Sequence, residues 1–287
     1  MPGRLLIGYD VEFDSDDLPP DLGAPDSTAR FLEAAAEVHS QTNTPATMFV
    51  TGQTLERNAD AFRAAATAHP FDFQQHTYSH RSIKALWGIP DDAEIPSWCT
   101  EGMSLDEIRS EVSRTRRLLK DVLGVDCIGL TAPAGCHLGL YDRADIRRVL
   151  YDEGIRFVRT WGRDHKGRFY LAPGACQAKI PPFWYPQAGH GDLLEFPIHG
   201  NDYNVRKEMG WDDAAGYLAW TQRQVDDAAE RDIVWSYAIH DHSAIRGDPE
   251  MSLVREMIEH ALERGVAVLD YHEAYAIRQT ERGEADG

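Results

Sequence analysis

The sequence contains no C-x-x-C, G-x-S-x-G, H-E-x-x-H or G-x-G-x-x-G. These absences exclude a thioredoxin-like redox pair, a nucleophile-elbow hydrolase, a zincin and a dinucleotide fingerprint. Cysteine is scarce: Cys99, Cys127, Cys136 and Cys176 are scattered and read as reduced thiols, not as a disulfide framework. No apolar run is long enough to span a bilayer. The first one, "RLLIGYD", stops at Asp10 without the form of a signal peptide. A cytoplasmic protein with no membrane partner is therefore expected. Basic charge is also short, 29 Lys and Arg against 47 Asp and Glu, a net charge of −18. A field of that sign repels phosphate backbones, and no basic stripe interrupts it, so no nucleic-acid partner is expected.

What remains is an ordinary globular balance, 43% hydrophobic and 26% charged over 287 residues, enough to build a core without staples. Strand and helix patterns alternate along the chain. "RLLIGYDV", "TPATMFVTG", "FDFQQ", "DCIGL", "IRFV", "LLEFPI" and "IVWSYAI" read as strands. Helical spacing is read over 28–40, 55–68, 105–122, 143–154, 212–230, 249–265 and 272–280. Ser104 and Glu107 form a capping-box pattern. Residues 81–103 read as a long irregular segment. This order predicts an α/β fold with a largely parallel, closed or nearly closed sheet. One domain over 1–278 is expected, with 279–287 as a frayed tail. The sequence leaves room for a homo-oligomer.

In parallel α/β folds, functional groups gather at the C-terminal ends of strands, and several candidates hold that address. His76 and His80, in "FDFQQHTYSH", share a face if the loop turns helical, and two imidazoles so placed can converge on one cation. Two solvated loop histidines are the competing reading. Asp10 and Glu12 end the first strand and, two residues apart, point the same way. Glu12 with His76 and His80 makes an open N₂O set, typical of a catalytic metal site. Asp14 is a rival for the carboxylate ligand. His240 ends "IVWSYAIH", and His199 ends "LLEFPIH" in the same manner. In "TAPAG", Pro133 and Gly135 suggest a tight turn, whose backbone N–H groups near Ala134 would serve an oxyanion if they face the site. Trp87 and Trp161 are aromatic surfaces on which a sugar can stack, or parts of a core or lid.

Taken in order, these segments resemble the polysaccharide deacetylases, the NodB-homology hydrolases. "GYDVEF" resembles the first motif in a D-x-E form, and "HTYSH" the second nearly letter for letter. "TAPAG" is similar to a degenerate third motif, "RFVRTWGRD" to the fourth and "YAIHDHS" to the fifth. The resemblance implies a distorted (β/α)7 barrel and one divalent metal, zinc by default with cobalt, nickel or iron as alternatives. It implies Asp10 as general base, His240 as general acid, and Glu12, His76 and His80 as ligands. The arginine that usually opens the third motif is Thr131 here, so Arg159 is expected to supply its cation. The implied activity is deacetylation of an N-acetylated amino sugar or related small molecule. Hydrolysis of a cyclic ureide, imide or other non-sugar amide is the alternative, and a catalytically silent sugar- or metal-binding barrel is a third.

Overall fold

The computed structural model describes residues 3–12, 27–169, 179–186 and 191–285. Strand β1 (Arg4–Val11) is buried along its whole length, as a central parallel strand should be. Its two faces are distinct. Leu5, Ile7, Tyr9 and Val11 join the outer core beneath the helices, whereas Leu6 joins a smaller inner cluster with Phe49, Phe157, Phe196 and Tyr271. By alternation, Gly8 and Asp10 face inward with Leu6.

Helix α1 (Ser27–Thr42) leads to β2 (Thr47–Val50). The helix expected over 55–68 is two, α2 (Gly52–Arg57) and α3 (Ala59–Ala68). Asn58 breaks them by leaving helical φ/ψ and donating its side-chain N–H to Thr54 O. After β3 (Asp72–Gln75), the segment expected to be irregular holds an antiparallel hairpin, β4 (Leu86–Gly88) and β5 (Trp98–Thr100). Helix α4 (Leu105–Leu123) starts at the reciprocal Ser104–Glu107 capping box and stops at Gly124, φ 73°.

Next come β6 (Gly129–His137), α5 (Ala144–Asp152), β7 (Phe157–Arg163), β8 (Phe183–Trp184) and β9 (Leu194–Glu195). Helices α6 (Asp202–Met209) and α7 (Ala214–Arg231) precede β10 (Val234–His240). The chain then forms α8 (Asp241–Ala244), α9 (Ser252–Glu263), β11 (Ala267–Leu269) and α10 (Tyr271–Ala285). Helix α10 passes through the expected tail, because Glu281 pairs with Arg4 and Arg278 and ties that turn to the barrel.

The sheet runs β10-β1-β2-β3-β6-β7-β9-β8, with β11 beside the first half of β1. Every pairing is parallel except β8 with β9. The sheet curls, and its open seam is spanned by the chain after β9. Ile198 N donates to Trp161 O of β7, while His199 N donates to Ser236 O and Ala238 N to Gly200 O across to β10. This is the largely parallel, nearly closed sheet expected from the alternation, and the distorted (β/α) barrel type that the family resemblance implied. Among the described residues no helix is long and apolar enough to cross a membrane.

Candidate active site

Three strand ends and one loop meet at the C-terminal mouth of the barrel. The loop is "HTYSH". It is not helical, as the spacing suggested: Thr77 and His80 both take left-handed backbone, φ 62° and 57°. A β-branched residue in that region is strained, so the loop needs outside support. Glu111 of α4 supplies it, accepting from Tyr78 N at 2.9 Å, Ser79 N at 2.7 Å and Ser79 Oγ at 3.0 Å. Gly52 N and Gln53 N add bonds to Thr77 O and Tyr78 O.

The two left-handed residues turn both imidazoles toward β1. Glu12 Oε2 lies 2.8 Å from His76 Nε2 and 2.7 Å from His80 Nε2, and the Glu12 side chain is 5% exposed. Burial pushes the Glu12 carboxyl upward, but His80's charge and hydrogen bonds from both histidines hold it well below the usual carboxylate range. His76 donates its Nδ1–H to Thr131 O at 3.0 Å, which leaves Nε2 as the ring's ligand atom. Donor atoms of Glu12, His76 and His80 lie within 4.8 Å of one another. Two imidazole nitrogens and one carboxylate oxygen, largely buried and with the His76 tautomer fixed, fit a divalent cation with positions left open. Asp14, the rival ligand, lies outside the described residues.

Asp10, two residues before Glu12, is bonded to Arg159 Nη2. Arg159 comes from β7 and is fully buried. Its Nε donates to Thr131 Oγ1 at 2.9 Å and its Nη1 to Gly8 O at 3.3 Å. Thr131 and Arg159 are register partners on β6 and β7, so the cation stands one strand away from the position of the expected arginine. Burial opposes the guanidinium charge, but Asp10 and Tyr271 together outweigh it and hold Arg159 above its ordinary value. Gly8 makes the crossing possible: a Cβ there would meet Arg159 Nη1 at 2.7 Å and Phe49 at 2.9 Å.

His240, at the end of β10, faces the same mouth, its Nε2 3.9 Å from Glu12 Oε1. Asp202 Oδ1 accepts from both His240 N at 3.0 Å and His240 Nδ1 at 2.7 Å. Burial would lower the His240 pKa, but Asp202, with smaller help from Glu12 and Asp10, carries it up to about 10. The ring is thus charged at neutral pH, with Nε2–H toward the cavity. Asp202 is missing from the sequence reading. It sits in a polar stretch with no strand or apolar helical stripe, and its one sequence signal is Asn201 as an N-cap, whose side chain accepts from Asn204 N.

Asp10, Glu12, His76, His80 and His240 line one cavity of about 200 Å³, which Ala134, Gly135 and Arg163 also border. "TAPAG" is not a tight turn. It lies within β6, where the register with β7 breaks between Thr131 and Cys136. Ala134 and Gly135 take φ of 62° and 57° in this bulge, which re-aims backbone toward the mouth. Four other candidates do not line the cavity. His199 is buried; its Nδ1 accepts from Ser236 N and its Nε2–H donates to Ile180 O, a structural role. Trp87 donates to His165 O beside the hairpin, Trp161 packs edge-on against Phe183, and Pro133 sits inside the bulge.

The family model for polysaccharide deacetylase matches residues 15–158, half the chain. The protein belongs to the polysaccharide deacetylase family. Asp10, Glu12 and His240 fall outside the matched span, so the barrel itself brings them to the matched histidines. No curated protein matches the sequence. A candidate polysaccharide deacetylase from Mycobacterium smegmatis superposes with a TM-score of 0.70 at 16% identity, over 98% of this chain and 92% of that one. Puue allantoinase superposes at 0.68 and 13% identity, over 96% and 90%. A CE4 family pseudoenzyme from Bacillus anthracis gives 0.56 at 13% identity, over 96% and 66%. At such identities the likeness establishes the shared fold.

Proposed function

We propose that this polysaccharide deacetylase family member is a metal-dependent hydrolase that removes an acetyl group from the nitrogen of a small molecule, an N-acetylated amino sugar or a relative of one. The carrying observation is that Glu12, His76, His80, Asp10 and His240 all border one cavity. Glu12, His76 and His80 would hold the cation, with zinc the natural choice for this donor set. A divalent cation there supplies Lewis-acid polarisation and a lowered pKa for water.

The chain's own groups do the rest. Asp10, oriented by Arg159, takes the proton of the attacking water. Backbone N–H groups of the β6 bulge near Ala134 donate to the oxygen on which charge develops. His240, charged and aimed by Asp202, gives its Nε2 proton to the departing amine. A small, partly open site suits a small substrate, since about 200 Å³ is below the usual range for ligand pockets, roughly 300–1,000 Å³.

The test measures metal content by mass spectrometry, and acetate release from N-acetylglucosamine and related acetamides, for wild type and His80→Ala. Near-stoichiometric metal that is lost with His80, together with acetate release that needs Asp10, supports the reading. Negligible metal in both proteins after zinc is offered would sink it. A cyclic ureide or imide is the second reading, supported by the near whole-chain superposition on Puue allantoinase. Ring opening of allantoin without acetate release from any acetamide would select it. A silent binding barrel has no use for an arginine-held carboxylate and an aspartate-held histidine facing each other.

A further inference from the structure

Arg163, at the end of β7, lines the cavity wall, and unlike Arg159 it pairs with no carboxylate among the described residues. Its Nε donates to Ala134 O at 2.8 Å, its Nη1 to Gly167 O, and its Cζ lies 3.9 Å from the centre of the Phe169 ring. The guanidinium is therefore fixed. Nη2 has no acceptor among the described residues and is not a sealed-off atom, and Arg163 lines the cavity. The adjacent Asp164 is turned away, to Arg168 Nη2 at 2.8 Å. Burial without a close counter-charge pulls the Arg163 pKa below its ordinary value.

Bracing the Ala134 carbonyl needs only a neutral donor, so the bulge does not explain the charge. A half-buried, uncompensated cation is costly unless a ligand brings the anion. Away from Asp10, Glu12 and the three histidines, the remaining wall is neutral: Asn201, Tyr203, Asn204 and Ile198. The N–H groups of Nη2 match a carboxylate, whereas a phosphate asks for more donors than this wall holds.

We propose that the substrate is a small N-acylated acid, its carboxylate held on Nη2 of Arg163 while the amide faces Glu12, His76 and His80. This inference rests on the hydrolase reading for the identity of the amide, but its own claim is the carboxylate.

The experiment is calorimetric titration of zinc-loaded wild type, Arg163→Gln and Arg163→Lys. The probes are N-acetylglycine, N-acetyl-β-alanine and N-acetylmuramic acid, each beside its own primary amide. In wild type at least one acid should bind about 10- to 100-fold tighter than its amide, the worth of a charge-assisted pair. Arg163→Gln should erase that preference and Arg163→Lys keep part of it. Wild type that binds no acid more tightly than its amide overturns the proposal, whether or not the variants fold. So does Arg163→Gln weakening acid and amide equally, which would mark a brace for Ala134. Acetate release is scored separately. Acids bound through Arg163 but never cleaved would refute the hydrolase reading and leave this one standing. Neutral amides cleaved as fast as acids, with no Arg163 dependence, would do the reverse.

Discussion

Replacing Arg159 with methionine tests the pairing on which the Asp10 role depends. Both partners are buried, Arg159 at 0% exposure and Asp10 at 7%. Methionine fills much of the arginine stem's volume over Phe49, whose ring centre is 4.5 Å from the guanidinium carbon, so the lost contact is mainly electrostatic. Removing one member of a buried ion pair leaves an uncompensated charge and costs about 3–5 kcal/mol. For a chain of this length that is a fall in melting temperature on the order of 10 °C. The cost should depend on the orphaned carboxylate. Asp10→Asn combined with Arg159→Met should therefore recover about half of it or more, a coupling of roughly 2 kcal/mol in a double-mutant cycle. Urea unfolding of wild type, both single variants and the double variant measures this directly. Metal content should persist in Arg159→Met, because His76 is held through the Thr131 carbonyl and not through the arginine. If Arg159→Met unfolds within 1 kcal/mol of wild type, or the double variant is as unstable as the single one, the pair is not an energetic unit and the argument fails.

Asp202→Asn should lower kcat by about 10²-fold or more, the scale of a general acid's contribution. KM should hardly move, because Asp202 is 1% exposed and does not line the cavity; steady-state kinetics showing a KM effect alone would reject the assignment. Glu111→Gln should weaken metal binding by about 10-fold, as expected for a group that fixes ligands without touching the ion, read by competition with a chelating dye; unchanged affinity would mean the strained loop holds itself. Buried His39 and His199 have pKa values lowered by burial from 6.5 to about 3 and about 4. The unfolded chain takes up protons that these rings refuse, so their stability is full above about pH 6.5 and falls as the pH drops toward 4. Each contributes about 1.4 kcal/mol per pH unit there. His199→Gln should flatten the dependence of unfolding free energy on pH between 6 and 4, and an unaltered slope would rule out the ring as its source.

The sequence exposed those parts of the molecule whose pattern is local. Alternation of apolar runs gave the barrel, the capping box gave the start of α4, and strand-end position picked out Asp10, Glu12, His76, His80 and His240 before any geometry was known. What stayed hidden depends on contacts distant in sequence. Asp202 acts on a histidine 38 residues away, and Glu111 acts on backbone 32–33 residues away. Neither carries a periodic signal. Local pattern also misled where tertiary contacts overrode it. His199 occupies a strand-end position as His240 does, but the seam of the barrel consumes both of its nitrogens. "TAPAG" has turn residues, yet β7 holds it in the sheet and the misfit becomes a bulge. The hairpin in 81–103 is too short to show a period of two.

The charges at the mouth of the barrel give the strongest argument for where a cation belongs. Three carboxylates meet there at close quarters: Asp10, Glu12 and Asp202. Asp10 has the permanent charge of Arg159. Asp202 has the His240 ring, which it keeps protonated itself. Among the described residues Glu12 has His76 and His80 as its close partners, with His240 Nε2 farther off at 3.9 Å, and imidazoles are cations only when protonated. His76 already donates its Nδ1–H to a carbonyl, so one neutral tautomer leaves a bare nitrogen facing a bare carboxylate oxygen. At neutral pH such a contact is repulsive unless a proton or a metal ion lies between the two atoms. The His80 pKa is raised by Glu12 against the effect of burial, so protons can fill that role when no metal is offered. A divalent ion would fill it better, satisfying both nitrogens and the carboxylate at once. Among the described residues Asp10 and Asp202 thus have cationic partners of their own, and Glu12 is left surrounded by ligand atoms.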